Sequence, residues 1–121
     1  MANTILVAED DTEWQEIICT DIERNCNDVE LKVAATREEA LAVIAKTSGI
    51  KVVVTDLRMP GVGDGEYVAA AAQQKGIKVI VLSGTLDDLS KTVRGNCVAL
   101  FSKAEYDAKT LAEAINGVIS S

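Results

Sequence analysis

Four apolar runs of this 121-residue chain end in side chains able to handle a metal and a phosphoryl group. "ILVA" runs into Glu9, Asp10 and Asp11, and "IKVVVT" into Asp56. "VIVL" is followed by Ser83, Gly84 and Thr85, and "LFS" by Lys103. Taken singly, each has a plain reading: an Asp after a strand is usually a turn residue, "EDD" a solvated helix start, a loop Lys a solvated charge. Four exits complying at once is a different matter. Carboxylates brought together repel one another and should raise the pKa of at least one of them. A hard divalent cation relieves that repulsion; Mg²⁺ takes one or two carboxylates, a carbonyl and waters, and shares phosphate oxygens readily. A carboxylate beside it can act as the nucleophile in phosphoryl transfer. Lys103 and Ser83 would then offer an ammonium and a hydroxyl to the added charge.

Such a site needs elements that bring the exits together. The continuous apolar runs at 4–8, 50–55 and 77–83 read as strands covered on both faces, and 97–101 as another. Segment 29–35 alternates, as a strand with one wet face or edge does. Between them lie helical patterns. Trp14, Ile17, Ile18 and Ile22 share a face of 13–25, and Thr36 with Glu39 forms a capping box opening a helix with Ala40, Leu41, Ile44 and Ala45 inward. A helix over 65–75 is closed by Gly76, and Thr85 is expected to cap a short helix over 86–94 closed by Gly95. Asp107 caps a last helix burying Leu111, Ile115, Val118 and Ile119. Five strands, each followed by a helix, predict a doubly wound α/β sheet in one domain, 1–121. Right-handed crossovers constrain it, but periodicity does not give the strand order. In this architecture ligands bind beyond the carboxyl ends of the strands, where the polar exits fall.

Composition narrows the function. The net charge of −7 argues against a nucleic-acid grip by this domain. No run of 18 apolar residues exists, and "MANTILVAEDD" lacks a signal peptide's basic and apolar segments. Cys19, Cys26 and Cys97 lack zinc-like spacing and read as reduced, mostly buried thiols of a cytoplasmic protein. With no histidine, the chain has no His-based triad, His metal site or phosphohistidine of its own.

"ILVAEDD", "VVVTDLRMPG", "VIVLSG" and "LFSK", in this order and spacing over essentially the whole chain, resemble the receiver domains of two-component response regulators. The resemblance implies a flavodoxin-like (βα)5 fold. It also implies that Asp56 is the phosphoacceptor, fed by a sensor histidine kinase or phosphotransfer protein. Glu9 and Asp10 would bind Mg²⁺ directly or through water, with Asp56 and the backbone carbonyl of Arg58. Ser83 would bond a phosphoryl oxygen and Lys103 pair with another. The Arg58 side chain would flank the phosphate entrance. Asp11 matches no family position and reads as a helix-start carboxylate favoured by the dipole. The implied activity is signalling, with the domain catalysing only its own phosphorylation and dephosphorylation. The output partner is unnamed, and the output surface is expected at helix 86–94, strand 97–101 and helix 108–119.

Three departures from the family pattern stand out. "MPGVGDG" carries one residue more than usual, so the loop after Arg58 should bulge. The position of the usual switch aromatic holds Leu100, with Phe101 on the opposite face. Ala104 follows the lysine where proline is usual, so the Lys103–Ala104 bond is expected to be trans, with the ammonium still aimed at the acidic cluster. Other classes fit less well. A pseudo-receiver, a binding module never phosphorylated, conflicts with the complete set Glu9, Asp10, Asp56, Ser83, Lys103. An aspartyl-nucleophile phosphatase lacks its second Asp, since Arg58 stands there. A flavodoxin-like cofactor binder would need an anion-friendly first loop, not "EDD".

Overall fold

The structure is a computed structural model and describes residues 2–121. Five parallel strands form one sheet in the order β2-β1-β3-β4-β5: β1 (Asn3–Ala8), β2 (Val29–Ala34), β3 (Ile50–Thr55), β4 (Lys78–Ser83) and β5 (Ala99–Ser102). Helices α1 (Thr12–Asn25), α2 (Arg37–Lys46), α3 (Asp64–Gln74), α4 (Lys91–Gly95) and α5 (Ala108–Ile119) cover it. This is the flavodoxin-like architecture. Its strand order puts β1 beside β3, where the chain changes winding direction and opens a crevice at the carboxyl edge.

Two apolar layers sandwich the sheet. Leu6, Ala8 and Val53 on one face pack with Ile44 and Val68 of α2 and α3. Ile5, Val7, Val52 and Val54 on the other pack with Ile18, Ile22, Leu111 and Ile115 of α1 and α5. The alternation of Leu6 with Val7, and of Val53 with Val54, between opposite layers is the period-2 geometry of a strand buried on both sides. The core is aliphatic, so strand and helix positions are fixed by interdigitating branched side chains.

Sequence signals set most boundaries. Asp11 caps α1, accepting from the amides of Glu13 and Trp14 at 2.9 and 3.2 Å. Thr36 accepts from Glu39 N at 3.1 Å, while Glu39 reaches back to Ala35 N at 2.8 Å. Asp107 caps α5 through Lys109 N.

Four expectations change. Ile17 is 42% exposed, because Trp14, Ile18 and Ile22 form the i, i+4 stripe and Ile17 falls at its edge. On α2, Ala45 is exposed and Val43 packs inward instead. The single helix 86–94 is really a 3-10 turn, Leu86–Asp88, and the one-and-a-half-turn α4. Leu89 breaks it: extended backbone sends its side chain into the core at 7% exposure, and Ser90, not Thr85, caps α4 by accepting from Val93 N. Finally, β5 starts at Ala99 rather than 97, because Cys97 stays in the closing turn of α4, its amide donating to Arg94 O.

Candidate functional site

The strand ladders themselves place the two central acids. The Glu9 amide donates to Ala34 O at 2.9 Å and the Asp56 amide to Ala8 O at 3.0 Å, so both residues continue the pairing one step past their strands. Neighbouring strand ends thus bring Glu9 and Asp56 side by side. Asp10 is exposed next to them, and carboxylate oxygens of Glu9, Asp10 and Asp56 lie within 4.8 Å of one another.

Lys103 completes the cluster. It follows β5 and opens a second 3-10 turn, Lys103–Glu105. Its ammonium lies 2.9 Å from Asp56 Oδ2 and 2.6 Å from Glu9 Oε1. The Lys103–Ala104 bond is trans; among the described residues the cis bond is Met59–Pro60. The Ala104 amide donates to Ser102 Oγ at 3.2 Å, a bond no proline could make. Asp56 Oδ1 accepts from Leu57 N at 2.6 Å, and Glu9 Oε2 from Asp11 N at 3.0 Å. Glu9 Oε1 is buried and has only the ionic contact with Lys103, at an angle outside hydrogen-bond geometry. Burial is the main reason the Glu9 carboxyl is raised to about 7, against the pull of Lys103 and the Asp11 amide; Asp56 adds a smaller upward push. Repulsion, the cause expected from the sequence, is therefore secondary to desolvation. Burial works to lower the Lys103 pKa, but the close ionic contact with Glu9 and the hydrogen bond to Asp56 outweigh it and hold the ammonium above its ordinary value.

Ser83 is 1% exposed at the end of β4, paired in register with Ser102. Its hydroxyl accepts from Thr85 N and lies 3.1 Å from Thr85 Oγ1. The Arg58 side chain turns to the β4–α4 loop, its Nε donating to Asp88 Oδ2 at 2.8 Å. The hydrogen bond to Arg58 holds the Asp88 carboxyl below its ordinary value. In the loop "MPGVGDG", Val62 is 71% exposed, and Gly63, at φ +88°, forms the N-terminal boundary of α3. Leu100 packs toward the α3/α4 layer and Phe101 toward the α1/α5 layer.

Two features have no counterpart in the sequence pattern. Gly65 has no room for a side chain: a Cβ there would sit 1.8 Å from Asp56 O, so α3 begins in backbone contact with the strand exit. The other is an aromatic brace. Lys103 Nζ sits 5.0 Å from the centre of the Trp14 ring, Tyr106 meets Trp14 edge-on at 5.4 Å, and the Tyr106 hydroxyl donates to Asp21 at 2.6 Å. Helical periodicity assigns Trp14 only to the core, and no local signal marks Tyr106 or Asp21.

The family model described as the response regulator receiver domain matches residues 5–116. The chain therefore belongs to the receiver domain family of two-component response regulators. Solved structures agree in fold. A response regulator receiver domain protein from Clostridium thermocellum is 24% identical with a TM-score of 0.81, covering 98% of this chain and 94% of its own. A CheY-like receiver domain protein from Methanospirillum hungatei JF-1 is 23% identical with a TM-score of 0.82, covering 99% and 95%. A DNA-binding response regulator of the LuxR family from Staphylococcus aureus is 24% identical with a TM-score of 0.77, covering 96% and 98%. No curated protein sequence matches. Among the described residues, no helix is long and apolar enough to cross a membrane.

Proposed function

We propose that this domain, residues 1–121, accepts a phosphoryl group on Asp56 in a Mg²⁺-dependent reaction and alters partner binding in response. The observation that carries this reading is the convergence of Glu9, Asp10, Asp56 and Lys103 at the β1/β3 crevice. The donor set fits Mg²⁺: three carboxylates supply hard oxygens, and buried Glu9 Oε1 has no directional donor. Glu9, Asp10 and Asp56 would hold the ion, with the Arg58 carbonyl as a further oxygen. When bound, Mg²⁺ supplies charge neutralisation between the carboxylates and the incoming phosphoryl oxygens.

The residues' own parts follow from the geometry. A carboxylate oxygen of Asp56 forms the O–P bond as the donor's N–P bond breaks, the electron pair leaving with the donor nitrogen. The Leu57 amide and the strand ladder hold that carboxylate at the crevice mouth. Lys103, now ion-paired to Asp56, keeps its proton and shifts its ion pair to a phosphoryl oxygen. Ser83 gives up its contact with Thr85 to donate to another. With no histidine in the chain, the donor is a partner: a sensor histidine kinase or phosphotransfer protein of the cytoplasm. Output runs through the 86–94 segment, β5 and α5, with Leu100 moving without an aromatic ring.

Turnover of acetyl phosphate tests this reading. Wild-type protein should release inorganic phosphate from it only with Mg²⁺, and Asp10→Asn should need more Mg²⁺ for the same rate. Release that is unaffected by a chelator, or no calorimetric heat on adding Mg²⁺, would refute it in favour of an unphosphorylated binding module.

A further inference from the structure

Lys103 stands on a three-residue turn that follows a four-residue edge strand, a weak platform for a cation that must hold its place between two carboxylates. The brace on its far side is built from a different part of the chain. Trp14 lies in the first turn of α1, half-buried against the α1/α5 layer, with Lys103 Nζ over its ring face at 5.0 Å. Tyr106 closes the 3-10 turn, its amide donating to Lys103 O at 3.3 Å, so the same turn carries the ammonium and the ring that meets Trp14. Asp21, further along α1, takes the Tyr106 hydroxyl at 2.6 Å and fixes that ring's far end. The Lys103 turn is thus fastened to α1 at two points, one above the ammonium and one at the turn's exit.

We propose that Trp14 is a positioning residue for the phosphoryl-accepting site, its ring face holding the Lys103 ammonium over Asp56 while Tyr106 and Asp21 lock the ring in place. A quadrupole face attracts a cation without accepting a hydrogen bond, so it restrains Lys103 while leaving its N–H groups for oxygens. An aliphatic side chain at 14 would fill the space but supply no such attraction. This inference rests on the proposed phosphoryl chemistry, and the experiment separates the two.

Acetyl phosphate loading with Mg²⁺ is followed by intact mass for wild type, Trp14→Phe, Trp14→Leu, Tyr106→Phe, Lys103→Met and the double variant Trp14→Leu/Lys103→Met, each checked for a cooperative melt. Trp14→Leu should load about fivefold more slowly, the weight of one partly desolvated cation–π contact. Trp14→Phe should recover most of that rate. Tyr106→Phe, which deletes only the hydroxyl, should slow loading about twofold. In the Lys103→Met background, Trp14→Leu should change nothing further. Because Trp14 is the sole tryptophan, its emission reads the same contact with no donor present. Wild-type emission should change on removing the ammonium by Lys103→Met, and that variant should lose most of the wild-type response to Mg²⁺. Additive effects of Trp14→Leu and Lys103→Met, or equal rates for Trp14→Phe and Trp14→Leu, overturn the positioning role. So does identical emission of wild type and Lys103→Met, with and without Mg²⁺. Wild-type protein that takes no phosphoryl group overturns the phosphoryl reading instead, and the emission comparison then decides the Trp14–Lys103 contact by itself.

Discussion

Replacing Glu9 with Gln should stabilise the metal-free protein at neutral pH and flatten its pH profile. Glu9 is 1% exposed, and burial lifts its carboxyl from 4.5 to about 7. A carboxylate raised on folding keeps a proton that the unfolded chain has already lost. Stability therefore falls as pH rises from about 4.5 to about 7, and levels off above that. Each tenfold gain in proton affinity on folding is worth about 1.4 kcal/mol once the proton is lost, which sets the full cost at about 3 kcal/mol. Water entry and relaxation around a charged Glu9 reduce it, so about 1–3 kcal/mol is the expected range. For a chain of this length, about 4 °C of melting temperature accompanies each kcal/mol, giving about 4–12 °C. Other perturbed groups do not intrude. Asp88 is held low and acts at more acidic pH, while Lys103, Arg58, Tyr106 and the three thiols are raised and act at more alkaline pH. Urea melts of wild type and Glu9→Gln at pH 5 and pH 8, with chelator, isolate the effect. Wild type should lose stability across this interval relative to the variant. Parallel profiles would refute the argument and show that Glu9 is ionised at little cost beside Lys103.

Three further outcomes follow from the same geometry. Gly65→Ala should destabilise by about 3 kcal/mol, the upper end of overpacking effects, because the clash is with backbone; an unchanged denaturant midpoint would contradict it. Millimolar Mg²⁺ should raise the wild-type melting temperature at pH 8, less so in Asp10→Asn, since only the folded cluster binds the ion; a flat titration would count against the metal site. Asp88→Asn should leave the melting temperature nearly unchanged, as exposed ion pairs contribute little, but speed amide exchange across 86–90; slow exchange there would mean that Leu89 alone holds the loop.

What the sequence made legible was whatever has a local signal. Strands buried on both faces are continuous apolar runs, so β1, β3 and β4 and their exits at Glu9, Asp56 and Ser83 could be placed. Capping residues with short-range chemistry, Asp11, Thr36 and Asp107, marked three helix starts. The weak segment was 86–94, where the sequence pointed to Thr85 as the cap and the burial of Leu89 instead moves the start of α4 to Ser90. Desolvation of Glu9, the Gly65 approach to Asp56 and the Tyr106–Asp21 bond depend on distant residues meeting in space. No periodicity carries that information. Lys103 illustrates both halves: its place beyond a strand was readable, while the aromatic ring over it became visible only once α1 and β5 were set on the same sheet.

The central claim is that Asp56 is the phosphoacceptor of a Mg²⁺-dependent site. Intact mass measurement after incubation with acetyl phosphate and Mg²⁺ tests it most directly, on wild type and Asp56→Asn side by side. Wild type should gain one phosphoryl group, lost when Mg²⁺ is chelated before the donor is added, and Asp56→Asn should gain none. An adduct of equal yield on Asp56→Asn, or none on the wild type at saturating donor and Mg²⁺, would contradict the account.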